Sequence, residues 1–271
     1  MKKYLSTIFL FLVLIVGLSL LLYPSFSNYW NSLHQSYAIA NYDAALQNLT
    51  EEDYSHLFAQ AEDYNERIKK INFPLMYHDQ VEGYYEALDV SGTGIIGYIS
   101  IPLIGVELPI YHGTSEGVLQ IAVGHLEGTT LPIGGAGTHA ALSAHRGLPS
   151  ARLFTDLDKV DVGDIFTITV LDRLLTYEID QILIVEPNDV DALYVIDGED
   201  HCTLITCTPY GINSHRMLVR GTRIENAEEV RVVRITADAI QLDPVVIAPL
   251  IASPLLLFLL LSIMWPKPKK K

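Results

Sequence analysis

The 271-residue sequence predicts a mainly β domain, a closed barrel or a sandwich, behind a helical extension and between two apolar membrane helices. Three observations carry that prediction. From Ile95 to Ile224, short β-branched runs alternate with turn residues, a spacing that suits barrels and sandwiches better than a parallel α/β sheet. Residues 28–70 are polar and rich in Ala, Leu, Gln and Glu, which is helix composition. Apolar stretches at 5–22 and 245–265 are each about long enough to cross a ~30 Å hydrocarbon layer.

The elements follow in order. Lys2 and Lys3 precede the first apolar stretch, and Pro-Lys-Pro-Lys-Lys-Lys follows the second, so the positive-inside rule puts both termini in the cytoplasm and the middle outside. No small-x-small cleavage site follows Leu22, so residues 1–23 are expected to remain as an anchor. The second stretch contains Pro249 and Pro254, which are awkward in a soluble helix and tolerable in a membrane one. Residues 24–90 form the extension. Leu46, Leu49, Leu57 and Ile68 share helical spacing, and Thr50 before Glu51, Glu52 and Asp53 is a helix start. Residues 91–226 form the β domain, with strands expected near 95–101, 107–111, 138–145, 164–171, 174–185, 201–207 and 215–224 and a helical interlude at 115–123. Residues 227–244 are a stalk, and 245–271 the second span with its basic tail.

Charge narrows the partners. The formal net charge is −14, and six of the 18 basic residues sit in the two tails, so the exposed part is more acidic still. Such a surface repels phosphate backbones and excludes nucleic acid as a natural partner. It suits a domain held near a membrane without adhering to it.

Cysteine usage is informative. Cys202 and Cys207 are five apart in an expected strand, facing opposite ways roughly 16 Å apart. A disulfide needs Cα atoms within about 7 Å. Both are therefore expected as free thiols, Cys202 in the core and Cys207 exposed at the strand end beside Pro209 and Gly211.

Some motifs tempt. Gly92-Thr93-Gly94-Ile95-Ile96-Gly97 spells a dinucleotide fingerprint, but a strand-like run follows where a helix is required, so the glycines read as a turn. Asn48-Leu49-Thr50 is a glycosylation triplet of a kind that arises by chance. A zinc site from Cys202, Cys207, His201 and His215 lacks paired short spacing. No cofactor or metal is called for. Of the histidines, His112, His125 and His139 read as strand-end residues bonded to backbone, and His34, His56 and His78 as surface residues. His145 differs: an apolar run delivers it to a turn with Gly147 and Pro149, a rigid support with an exposed tip. A thiol at Cys207, an imidazole at His145 and a permanent cation at Arg216 are what acyl transfer through a thioester needs.

These residues carry a resemblance. Thr138-His139-Ala140-Ala141-Leu142-Ser143-Ala144-His145-Arg146-Gly147-Leu148-Pro149 and Leu153-Phe154-Thr155-Asp156-Leu157 resemble the histidine region of sortases. Thr203-Leu204-Ile205-Thr206-Cys207-Thr208-Pro209-Tyr210-Gly211, His215-Arg216 and Leu218-Val219-Arg220-Gly221 resemble their cysteine and arginine strands. Tyr111-His112-Gly113-Thr114-Ser115 and Gly124-His125-Leu126-Glu127-Gly128-Thr129 are similar to class C, the pilin-polymerising sortases. The resemblance covers roughly residues 90–225 and implies a sortase-like closed β-barrel with Cys207 as nucleophile, His145 as acid/base and Arg216 as the oxyanion-side cation. It implies a membrane-held transpeptidase on the outer face of a Gram-positive cell. Its substrates would be pilins or surface proteins with a Leu-Pro-x-Thr-Gly-like sorting signal, and its acceptor an amine, a pilin lysine or a cell-wall peptide. Water as acceptor would make the same site a cysteine protease. A membrane-tethered binding module with a structural Cys207 is the reading from another class. One departure stands out. Class C sortases commonly plug the site with a lid bearing Asp-Pro-aromatic, yet the one Asp-Pro here is Asp243-Pro244, beside the second span. Phe73-Pro74 and Tyr84-Tyr85 are the substitutes on offer, and Cys207 is expected to be more accessible than in lidded relatives.

Overall fold

The computed structural model describes residues 2–226 and Pro254. The expected stalk, second span and basic tail otherwise lie outside the described residues. Residues up to Trp30 belong to one compact unit, and those from Asn31 through the barrel to another.

Helix α1 spans Lys2–Leu46 and contains Pro24, at the expected junction of anchor and extension. Its stretch from Phe9 is long and apolar enough to cross a membrane. Helix α2, Glu51–Ile68, starts with a capping box: Asp53 N–H donates to the Thr50 hydroxyl, and Thr50 N–H to the Asp53 carboxylate at 2.8 Å. Both helices dock on the barrel through buried polar anchors. Tyr42, fully buried near the end of α1, donates to Ile96 O at 3.2 Å and accepts from Leu171 N–H at 2.8 Å. The buried Asn65 amide of α2 pairs both ways with the Leu131 backbone, at 3.2 and 2.7 Å. A short helix α3, Pro74–Tyr77, follows, with no buried residue.

Eight strands close the barrel: β1 (Ile95–Ile101), β2 (Val106–His112), β3 (Val123–His125), β4 (Thr138–Ser143), β5 (Ile165–Val170), β6 (Arg173–Val185), β7 (Asp200–Thr208) and β8 (His215–Ile224). Their order around it is β1-β2-β3-β4-β7-β8-β6-β5. The glycine fingerprint opens β1, with Gly92 and Gly94 at positive φ in the turn before the strand. Helix α4, Glu116–Leu119, is shorter than the expected interlude, and β3 occupies its end; three residues are too few to show a period in sequence.

Alternation decides what lies inside. Ala140, Leu142 and Ala144, Cys202 and Leu204, and Met217 and Val219 belong to the main core. The intervening residues Ala141, Ile205 and Leu218 form a second apolar cluster with Leu193 from the β6–β7 connection. That outer cluster is the floor on which the site is built.

Candidate active site

Three neighbouring strands set out the three sequence-predicted residues. β4 runs parallel to β7 with Ser143 opposite Ile205. The pairing continues past the end of β4: Ala144 N–H donates to Ile205 O at 3.1 Å, and the Thr206 hydroxyl to Ala144 O at 2.9 Å. Continued one residue further, that register sets His145, two residues past β4, level with Cys207. β8 runs antiparallel to β7 with Cys207 opposite Arg216. Strands lie about 4.8 Å apart, so the three backbones stand in a row some ~10 Å wide. In-register pairs share a face, and here it is the outer one, opposite Cys202.

Both thiols are free and Cys202 is buried, as expected, whereas Cys207 is half-buried rather than exposed. Burial drives the Cys202 thiol well above its ordinary pKa and keeps it protonated. The two sulfurs face opposite sides of one strand, which rules out the zinc arrangement weighed from sequence.

His145 is held by its loop. Phe154 N–H donates to His145 O at 3.1 Å, and Gly147 N–H to the Thr155 hydroxyl at 3.1 Å. Arg146, whose side chain is 8% exposed, is ion-paired with Asp158 and donates to Thr155 O at 3.2 Å. The Tyr210 ring of the β7–β8 turn closes over this loop, its centroid 5.9 Å from the Arg146 guanidinium. Gly147 sits at φ +77°, and a Cβ there would come within 3.0 Å of the ring. The histidine and cysteine turns are thus packed against each other through Arg146, Gly147 and Tyr210, of which only Gly147 stood out individually in the sequence. Glycine beside the histidine was the available signal.

Arg216 donates from Nη1 to Asn213 O at 3.3 Å and His215 O at 3.2 Å. Among the described residues it has no carboxylate partner, so its charge remains available to a ligand. A surface salt bridge was the ordinary alternative. His215 faces away, its Nδ1 2.9 Å from the Ser214 hydroxyl.

Beside the row lies a cavity of about 330 Å³, lined by Arg216, Ile205, Leu218, Leu193, Ser143 and Leu75 among others. Leu75 comes from α3 and packs on the outer cluster. The segment has settled there because Gly128 lets it approach: a Cβ on Gly128 would lie 2.6 Å from Pro74 O. Of the two lid substitutes weighed from sequence, Phe73-Pro74 therefore belongs to the segment at the groove. Tyr84 belongs to the end of the barrel, its hydroxyl 2.8 Å from His125 Nδ1 and accepting from Gly113 N–H at 2.9 Å. A larger cavity of about 810 Å³ lies farther along, lined by Phe73, His139 and Tyr194 and by none of the three residues in the row.

Two of the buried histidines, His125 and His139, are held by hydrogen bonds to backbone. His125 Nε2 lies 2.8 Å from Thr130 O. His139 Nδ1 lies 3.1 Å from Tyr194 O, and its Nε2 2.7 Å from the Thr203 hydroxyl. Burial lowers both pKa values to about 4, so both rings are neutral at pH 7.

Comparison with known proteins follows the same region. A model of the sortase domain matches residues 99–224. Among curated proteins, sortase A of Streptococcus agalactiae serotype III is 32% identical over 117 residues, 42% of this chain and 47% of that protein. Sortase D of Bacillus subtilis is 28% identical over 131 residues, 47% of this chain and 63% of that protein. The chain thus matches only about half to two thirds of the length of these curated relatives. Solved structures match more fully. Sortase C of Streptococcus pneumoniae is 44% identical with a TM-score of 0.62, covering 70% of this chain and 97% of that one. Sortase C1 of Streptococcus agalactiae is 47% identical with a TM-score of 0.65, covering 70% of this chain and 99% of that one. A solved sortase is matched over almost its whole length at nearly half identity, and this chain belongs to the sortase family, with class C sortases as its structural neighbours.

Proposed function

We propose that this protein is a membrane-anchored cysteine transpeptidase. It would cleave a Leu-Pro-x-Thr-Gly-like sorting signal through a thioester on Cys207 and pass the acyl group to an amine, a pilin lysine in pilus assembly. The observation that carries this reading is Cys207 paired with Arg216 across β7 and β8, with His145 just past the end of the neighbouring β4, beside an apolar groove. Ile205, Leu218 and Leu193 offer that groove a surface suited to a Leu-Pro segment. The pneumococcal sortase C structure is described as bearing on catalysis and pilin substrate specificity, which supports a pilin as substrate here.

Each step conserves atoms and charge. Cys207 gives its proton to His145 and, as thiolate, attacks the Thr–Gly carbonyl. The oxyanion forms next to Arg216, which is charged at every working pH. Imidazolium then protonates the departing amine and the peptide C–N bond breaks, leaving the thioester. An incoming lysine amine loses a proton to neutral His145, attacks, and expels the thiolate as the isopeptide bond forms.

For localisation, the apolar part of α1 supports an anchor, and the lysine-rich tails support a catalytic domain outside with both termini in the cytoplasm. The test is mass spectrometry of full-length protein mixed with a sorting-signal peptide, then with a lysine-bearing pilin. The expected result is an adduct on Cys207 that the pilin discharges into an isopeptide product. Hydrolysis alone would favour a protease, and retained peptide binding with no adduct would favour a binding module.

A further inference from the structure

We infer that Glu116 is a positioning residue for His145, completing a Glu–His–Cys relay in the transfer reaction. The inference rests on the catalytic reading of Cys207 and His145 given above. Three observations carry it. Nε2 of His145 is buried and has no hydrogen-bond partner, an expensive state for a ring that must carry charge in turnover. The nearest ion-pair partner is the Glu116 carboxylate, with Oε2 3.8 Å from that nitrogen. The other carboxylate oxygen is already oriented: Oε1 accepts from Gln120 Nε2 at 2.5 Å, one turn along α4. α4 is itself capped, with Ser115 Oγ accepting from Val118 N–H.

The other charged groups around the ring are differently placed. Arg146, on the same loop, is committed to Asp158. Arg216, on β8, donates to backbone carbonyls. Cys207 comes from β7, and Glu116 from α4. A carboxylate at 3.8 Å needs to close by less than 1 Å to accept the Nε2 proton, and catalytic hydrogen bonds are commonly long before substrate arrives. Committing Nε2–H to Glu116 leaves Nδ1 as the nitrogen that exchanges protons with the sulfur and the amines. The ionised carboxylate also favours the imidazolium that accompanies the Cys207 thiolate. Glu116 touches no substrate atom; its effect passes through the ring.

The test alkylates full-length protein with iodoacetamide between about pH 5 and 10 and follows Cys207 by mass spectrometry, in wild type, Glu116→Gln, Glu116→Asp and His145→Ala. Glu116→Gln is expected to slow alkylation about three- to tenfold on the acid side and to leave the alkaline plateau unchanged. Glu116→Asp should recover part of the loss. With a sorting peptide, kcat should fall by a similar factor while KM stays within about twofold. Superimposable wild-type and Glu116→Gln profiles would overturn the inference. So would a loss uniform across pH with a lowered Tm, the signature of a merely structural residue. Alkylation needs no sorting substrate, so the two readings separate. A shifted profile without thioester formation sinks the transpeptidase reading alone, and thioester formation with an unshifted profile sinks the role of Glu116.

Discussion

Cys202 and Cys207 share β7 and differ in every property that matters for chemistry. The first is sealed in the barrel, where burial keeps its thiol protonated. The second stands at the strand end on the outer face, between His145 and Arg216. β4 repeats the contrast: His139 is buried against Tyr194 and Thr203 and held neutral, whereas His145, six residues on, is 28% exposed at a turn. A strand has two faces and an end, and the less buried member of each pair sits where the outer face meets the end.

Exchanging the members of each pair tests that contrast. Cys207→Ala should abolish thioester and product to below detection by mass spectrometry. Cys202→Ala should keep transfer within about threefold and cost roughly 1 kcal/mol in urea unfolding, the scale of a small core truncation. Equal loss of activity in both variants would break the comparison. Next in size, Arg216→Ala should lower kcat/KM about a hundredfold, near 3 kcal/mol at the transition state, measured with a sorting peptide.

The neutral histidines give a pH prediction. In the unfolded chain His125 and His139 bind a proton near pH 6.5, whereas folded they resist to about 4. The unfolded state therefore binds more protons in between. Stability from these two rings is intact above pH 6.5 and declines as pH falls toward 4, by on the order of 3 kcal/mol per ring. Urea midpoints at pH 5 and pH 7.5 read this directly, and His139→Asn should flatten the slope. The smallest effect concerns α3. Leu75→Ala should change the rate at which a thiol reagent labels Cys207 by less than about threefold, because Leu75 packs on Ile205 and Leu218 deeper in the groove. Slow labelling that accelerates strongly in the variant would show that this segment guards the sulfur.

Much of the barrel was legible. The runs at 95–101 and 215–224 coincide with β1 and β8 because β-branched residues there are bounded by Gly, Pro and polar turns. β3 was not, being only three residues that begin on the last residue of a stretch with helical spacing. The start of α2 was legible from Thr50 and its acids, since a capping box is local. The bracing of His145 was not: Asp158, Tyr210 and Glu116 lie from 12 to 64 residues away from the loop residues they contact, and no period connects them.

By itself the sequence determined what is set by neighbours along the chain: strand runs, the apolar span at the start, and the opposite facing of two cysteines five residues apart. Local sterics and the two-residue period of a strand suffice for those. Only the tertiary structure decided which strands lie side by side, and with that the row of His145, Cys207 and Arg216. It also decided that Leu75 enters the groove and that Glu116 faces the ring. Pairing between distant strands is settled by closure of the barrel and burial of its core, which are properties of the whole chain.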